Sequence, residues 1–213
     1  SNEITRREFS MIEVKHAVEL DEIESDLSEI FVTNHDKDLR FLYKAKDDEQ
    51  KQQKTKQTLI QAFSHMFHKD AFYCALTQDQ VGGTAAVSNN KQRAVNLDAK
   101  VLKKYLGGHK SKECFEKFKS FNIPLTHYDN DTAYIEFIEI LDEFKDQGLE
   151  EELLKHIVDN TSYHVYIVEV LETEEHLIKA LKKCGFVEIQ RRMVKIDDNN
   201  IYNIIFRKMK FGR

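Results

Sequence analysis

The chain has 213 residues, 41% of them hydrophobic, and 32 Lys and Arg stand against 37 Asp and Glu. That size suits one sizeable domain over residues 1–213 with its own core, and the charge balance supplies no basic field to draw the chain onto nucleic acid. The longest apolar runs, such as Tyr163 to Leu171, fall far short of the roughly 20 residues of a membrane-spanning helix, and no charged-then-apolar signal opens the chain, so a cytoplasmic protein without a membrane partner is expected.

In chain order, a short strand at Met11 to His16 leads into an amphipathic helix near Leu20 to Phe31, with Leu20, Ile23, Leu27, Ile30 and Phe31 at helical spacing. Residues 44–58 are strongly polar and precede Leu59, Ile60, Phe63, Met66 and Phe67, which predicts one helix that starts in solvent and ends buried. Ala71 to Thr77 and Val81 to Ser88 read as two strands of a hairpin around Gln78-Asp79-Gln80. Gly82-Gly83 in the second strand marks a bulge, a close backbone approach, or a tolerated pair of small residues. A helical insertion follows from Leu97 to Phe121, broken at Gly107-Gly108.

The C-terminal half predicts a strand at Ala133 to Leu141, a helix at Gly148 to Asp159, a strand at His164 to Leu171 and a helix at Glu174 to Lys183. Strands at Phe186 to Lys195 and Ile201 to Lys208 then form a hairpin joined at Asp197 to Asn200. The strand, helix and strand over 133–171 form a βαβ unit, which makes its two strands parallel. The C-terminal hairpin also supplies an edge able to serve a homodimer.

Between Leu141 and Leu149 the chain leaves a buried strand, crosses a short polar loop and enters a helix at Gly148. The first turn of a helix presents free backbone N–H groups and a partial positive charge, so this turn can hold a phosphate. The segment Lys145-Asp146-Gln147-Gly148-Leu149-Glu150, followed by Leu153 and Leu154, and the later stretch Ala180-Leu181-Lys182-Lys183-Cys184-Gly185-Phe186 resemble two motifs of the GNAT superfamily of acyl-CoA N-acyltransferases. In that family the turn carries Arg or Gln, two residues, Gly, one residue, then Gly or Ala. The resemblance covers Ala133 to Gln190 and is topological before Asn89.

The resemblance implies a GNAT-like mixed α/β fold: a central sheet of about six to seven strands flanked by helices. It implies acetyl-CoA as co-substrate and transfer of its acetyl group to the amine of a small-molecule or peptide acceptor. The pantetheine arm would pair with main chain around Ile138, Ile140 and Leu141, and the pyrophosphate would sit on the N–H groups from Gln147 through Gly148, Leu149 and Glu150 to Glu151. Lys145 would offer a charge to a phosphate, although a solvated surface role suits it equally.

Lys145 replaces the family's Arg or Gln, and three further positions depart from the family. Glu150 replaces the second Gly or Ala, and a carboxylate about 4 Å from a phosphate costs from about 1 kcal/mol in water to about 4 kcal/mol at an effective dielectric of 20. The acids Glu150, Glu151 and Glu152 also complement the helix dipole. Leu181 or a neighbour stands where the family often has a Tyr that acts as general acid, and Glu174 stands for an Asn. These departures motivate a second reading, a GNAT-fold binding or regulatory protein with weakened CoA binding and no catalysis. A third is an interaction module that docks a partner through residues 97–121.

Glu136 and Glu139 on the fourth strand are candidate general bases, or ordinary polar-face residues. Their odd spacing predicts opposite faces, so that at most one meets the acceptor. His127, Tyr128 and Tyr134 are looser candidates. His65 and His68 share a helix face, but no third ligand lies nearby in the sequence and no metal is expected.

Overall fold

In the computed structural model, which describes residues 11–43 and 48–211, both hairpins turn on residue pairs without glycine. Gln78 and Asp79 hold φ of 54° and 58°, and Asp197 and Asp198 hold 49° and 62°. Left-handed conformation at both central residues gives the tight turn whose twist matches its flanking strands, and Asp tolerates it better than most side chains. Each loop is therefore two residues long. Strand β2 (Phe72–Thr77) runs straight into β3 (Gln80–Ser88), and β6 (Val187–Ile196) into β7 (Asn199–Met209), so Gln80 and Asn199 are strand residues rather than turn residues.

The other strands are β1 (Glu13–His16), β4 (Thr132–Ile140) and β5 (Val165–Leu171). Together they form one seven-stranded sheet in the order β1-β2-β3-β4-β5-β7-β6. Only β4 and β5 are parallel, joined by the expected crossover helix α6 (Leu149–Asn160). β7 returns between β5 and β6 and pairs antiparallel with both. The mixed sheet expected from the sequence is confirmed, with seven strands.

Pleating sends alternate side chains to two cores. On one face α1 (Ile23–Asn34), α3 (Glu49–Ser64), α4 (Ala99–Leu106) and α5 (Gly108–Phe118) cover Phe72, Cys74 and Ala86. The helical insertion is thus two helices divided at Gly107, whose φ is 80°. On the other face α6 and α7 (Glu175–Lys183) cover Ala75, Ala85, Ile135, Val168, Ile204 and Phe206. The short helix α2 (Asp36–Leu39) follows α1, which ends at Asn34 rather than Phe31. Asp48 caps α3 by accepting the Lys51 N–H at 3.2 Å, which ends the polar run in solvent as expected; residues 44–47 lie outside the described residues.

Gly82 and Gly83 serve the α6 face. β3 bulges at Gly82, since Gly83 opposes Ala75 while Val81 opposes Leu76. A Cβ on Gly82 would meet Leu149 and Phe144 at 2.9 Å, and one on Gly83 would meet Ile140. The bulge and the close approach thus occur together, and they let the start of α6 rest on β3.

A second bulge reshapes β4. Thr84 opposes Glu139 and Ala86 opposes Glu136, so three residues of β4 advance against two of β3. Phe137 takes up the extra residue at a φ of 52°. Its ring packs 4.8 Å from Phe121 and 5.9 Å from Phe31, with Phe67 and Phe72 also in contact. A left-handed non-glycine residue costs about 1–3 kcal/mol, and burial of an aromatic ring is worth more than that.

Two substitutions separate these effects. Phe137→Ala should destabilise by about 2–4 kcal/mol in urea unfolding, because the ring is lost and the strain stays. Phe137→Gly should be about 1 kcal/mol less harmful than Ala, the reverse of the usual strand ranking, because glycine adopts this φ freely. Equal or greater harm from glycine would show that the bulge is not strained.

Candidate active site

β4 and β5 pair only from Thr132 to Tyr134, opposite Val165 to Ile167. Beyond that point the bulge turns β4 away, and no further β4–β5 pairing occurs among the described residues. A wedge opens toward the C-terminal ends of the two strands. Leu141 donates its N–H to Gly82 O at 3.0 Å, and backbone groups alternate sides along a strand, so the N–H and C=O of Ile140 point into the wedge. Leu141 itself lines the wedge, but its N–H is already used on the β3 side. Ile138 lines it as well.

At the wide end, Gly148 has a φ of 84° and precedes α6. No side chain caps this helix, so the N–H groups of Leu149, Glu150 and Glu151 have no intrahelical acceptor. Leu149 is fully buried, backbone included, which leaves Glu150 and Glu151 as the accessible residues of this first turn. Gln147 donates its side-chain amide to Glu143 O at 3.3 Å. Lys145 pairs with Asp142, His176 with Asp146 and Glu151 with Lys183. Glu150 lines the wedge half-exposed, together with Lys37 and Lys145. Lys179 lines the adjoining recess beside Gly148 and Glu150. Neither Lys37 nor Lys179 has an ion-pair partner among the described residues.

Two cavities, of about 450 Å³ and about 810 Å³, share Ile138, Glu139, Glu174 and Leu177 on their walls. They are therefore neighbouring chambers separated by the edge of β4 and the start of α7. The larger lies along the wedge, from Ile140 to Glu150. The smaller lies beneath the bulge, on the α1 face, and contains Glu136, Tyr134, Tyr128 and His127.

The structure corrects the expected geometry of the two glutamates. Glu136 and Glu139 point to the same face, because their partners Ala86 and Thr84 are two residues apart and the bulge absorbs the odd residue. Their surroundings differ. Glu136 is buried and accepts from Ser88 Oγ at 2.5 Å, from Arg93 Nε at 3.0 Å and from Arg93 Nη2 at 2.7 Å. Those bonds tie the carboxylate into the scaffold. Glu139 accepts from Asn34 Nδ2 at 2.9 Å and lies 2.8 Å from His35 Nε2, while Asn34 also donates to Ile140 O at 3.1 Å.

Glu174 completes the junction. Its carboxylate accepts the Leu171 N–H at 2.9 Å. Glu174 is exposed at the surface as a residue, yet partial desolvation of its carboxyl, reinforced by the charge of Glu139, holds its pKa above the ordinary carboxylate value against the opposing pull of that hydrogen bond and of His35. For His35, burial opposes protonation, but the Glu139 hydrogen bond and charge, with Asp38 beside them, outweigh it and raise the pKa. Glu139, bonded to His35, and Glu174 thus stand on the walls that the two chambers share.

Asn34 and His35 were not legible as site residues. They sit at the end of an amphipathic helix, 104 to 106 positions from their partners, and no local pattern encodes that meeting. Leu181 is fully buried in the core beneath α7. Tyr128 and Tyr134 line the smaller chamber, and burial raises both phenol pKa values, with Glu169 adding to the shift. His65 bonds Tyr105 and His68 bonds Asn96, each at a separate place.

This sheet, splayed after one parallel pairing and carrying a bulged fourth strand, has the fold of solved acetyltransferases. An N-acetyltransferase from Staphylococcus aureus Mu50 is similar with a TM-score of 0.56 at 16% identity, covering 92% of this chain and 100% of that one. A candidate acetyltransferase from Salmonella typhimurium, solved with its cofactor acetyl-CoA, is similar with a TM-score of 0.50 at 11% identity, covering 93% and 92%. A candidate acetyltransferase from Acinetobacter baylyi ADP1 reaches 0.54 at 12% identity over 94% and 93%. No protein-family model matches the chain, and no curated protein matches it. Among the described residues no helix is long and apolar enough to cross a membrane.

The His35 cluster has a consequence for stability. A histidine whose folded pKa exceeds its ordinary 6.5 stabilises the fold fully below that value, and the contribution is lost as pH rises through the folded pKa. Urea unfolding should therefore show stability falling from about pH 6 to about pH 8, and His35→Gln should flatten that slope. An unchanged slope in the variant would remove His35 from the cluster.

Proposed function

We propose that the chain is an acetyl-CoA-dependent N-acetyltransferase acting on an amine, organised as one domain over residues 1–213. The observation that carries this reading is the meeting of the two chambers at Glu139 and Glu174. One chamber has the form of a cofactor channel and the other that of an acceptor site. Acetyl-CoA, when bound, supplies an acetyl group activated as a thioester. The backbone of Ile138 and the N–H of Ile140 suit its amide-bearing arm, the N–H groups of Glu150 and Glu151 suit its pyrophosphate, and Lys37, Lys145 and Lys179 supply positive charge nearby.

Glu139, fixed by Asn34 and His35, takes the proton from the acceptor ammonium and frees its lone pair. Glu174, whose pKa stands above the ordinary carboxylate value, returns a proton to the leaving thiolate. That assignment supplies the acid which Leu181 does not. Glu136, saturated by Arg93 and Ser88, positions β4 rather than exchanging protons. The chambers hold the partners together, and orientation alone lowers the barrier by several kcal/mol.

The acidic first turn of α6 favours a second reading, a binding or regulatory protein that keeps the cleft and lacks chemistry. Calorimetry with acetyl-CoA and a thiol-release assay separate the two. The wild-type protein should bind acetyl-CoA and release thiol when an amine is present. Glu139→Gln should lower kcat by about 10²–10⁴ while acetyl-CoA still binds, and Glu150→Gln should tighten binding by about fivefold by removing one carboxylate from the turn. Binding with no thiol release from any amine would support the second reading, and no binding at millimolar ligand would contradict both.

A further inference from the structure

Four acidic side chains line the smaller chamber, Glu136, Glu139, Glu169 and Glu174, and they share it with Arg93, Arg192, His35 and His127. Arg93 is largely committed: besides the two bonds to Glu136 it donates to Ile123 O at 2.6 Å and Ser120 O at 3.3 Å, and its side chain is 11% exposed. Four of the five guanidinium N–H donors are thereby used. Arg192 stands 3.9 Å from Glu169, beyond hydrogen-bond reach, with a side chain 59% exposed. Glu136 is held by Arg93 and Glu139 by His35, which leaves Glu169 on β5, whose one hydrogen bond among the described residues comes from Asn203 Nδ2 at 3.1 Å.

Tyr128, Tyr134 and Phe121 line the same chamber as Glu169, the two tyrosine rings near parallel at 6.2 Å and the Arg93 guanidinium 5.8 Å from the Tyr134 centroid. Beyond burial, the charge of Glu169 raises both phenol pKa values, while Arg192 lowers that of Tyr128 and Arg93 that of Tyr134. Neither phenolic hydroxyl has a hydrogen-bond partner among the described residues. A carboxylate flanked by tyrosine rings attracts an ammonium through its charge, through the electron-rich ring faces and through the phenol oxygens as acceptors. The same surroundings repel a carboxylate. The chamber, at about 450 Å³, also falls within the roughly 300–1,000 Å³ of small-molecule sites.

We infer that the acceptor is a small dication, an aliphatic diamine or polyamine, with one amine at Glu139 and the other held by Glu169, Tyr128 and Tyr134. The inference rests on the acetyltransferase reading above. In the step it serves, the amine nitrogen at Glu139 forms the N–C bond and the C–S bond of the thioester breaks. Glu139 takes the ammonium proton before the attack, the thiolate receives a proton from Glu174, and the second proton that the nitrogen sheds as the C–S bond breaks restores Glu174, giving an N-acetyl amine, free CoA and one proton that Glu139 passes to solvent. The second ammonium keeps its charge throughout and acts as the anchor.

The test compares 1,4-diaminobutane, butylamine, glutamate and a lysine-containing peptide as acceptors with acetyl-CoA, and titrates the diamine calorimetrically into the protein with CoA present. The diamine should show the highest kcat/KM and measurable binding heat. Glu169→Gln should cut the preference for diamine over butylamine by roughly five- to tenfold, carried in KM rather than kcat, with a matching loss of diamine affinity. Butylamine, glutamate or the peptide acetylated as well as or better than the diamine would overturn this inference and leave the acetyltransferase standing, as would a Glu169→Gln protein with unchanged preference. Absence of both acetyl-CoA binding and any acetylated product would overturn the two together.

Discussion

Phe137 holds a φ of 52° in the middle of a buried strand because its ring is enclosed by Phe31, Phe67, Phe72 and Phe121. The side chain can stay in that aromatic cluster only if β4 accommodates an extra residue. Once it does, β4 can no longer remain parallel to β5 past Tyr134, and the wedge opens. The same residue changes the pleat, which brings Glu136 and Glu139 to one face. Core packing on the α1 side thus sets both the shape of the cleft and the chemistry that lines it.

The end of α1 uses that geometry. Phe31 is buried at the centre of the aromatic cluster, and the helix continues one turn beyond it to Asn34. Asn34 then reaches Glu139 and Ile140 O, and His35 reaches Glu139. The two glutamates, three positions apart in sequence, have separate fates because Arg93 and Ser88 claim only Glu136. Arg93 in turn ties β4 to the backbone after α5 through Ser120 O and Ile123 O. The paired carboxylate is part of the scaffold, and the one held by an amide and an imidazole retains proton-exchanging partners.

Much of the fold was legible because its signals are local. The βαβ unit, the glycine before α6 and the helical insertion all follow from periodicity and turn chemistry within short windows. The two-residue hairpin turns were obscured by the lack of glycine, since Gln78-Asp79 and Asp197-Asp198 adopt left-handed backbone without the usual residue. The candidate site was less legible. A bulge at Phe137 leaves no mark in the strand's apolar pattern, so alternation alone put Glu136 and Glu139 on opposite faces. Asn34, His35, Arg93 and Glu169 enter the site through contacts tens of positions away, which one sequence does not encode. The lysines around the acidic turn come from α2, the loop before α6 and α7, so the balance of charge there emerges only after folding.

The central claim is that the opening between β4 and β5 receives the acyl carrier on free backbone groups. Amide hydrogen exchange with and without acetyl-CoA tests it residue by residue. The account predicts slowed exchange at Ile140, Glu150 and Glu151, where N–H groups lack protein acceptors, and no change along the exposed strand β6. Unchanged exchange at Ile140 and the α6 start under saturating acetyl-CoA, or protection confined to regions outside the wedge, would contradict it.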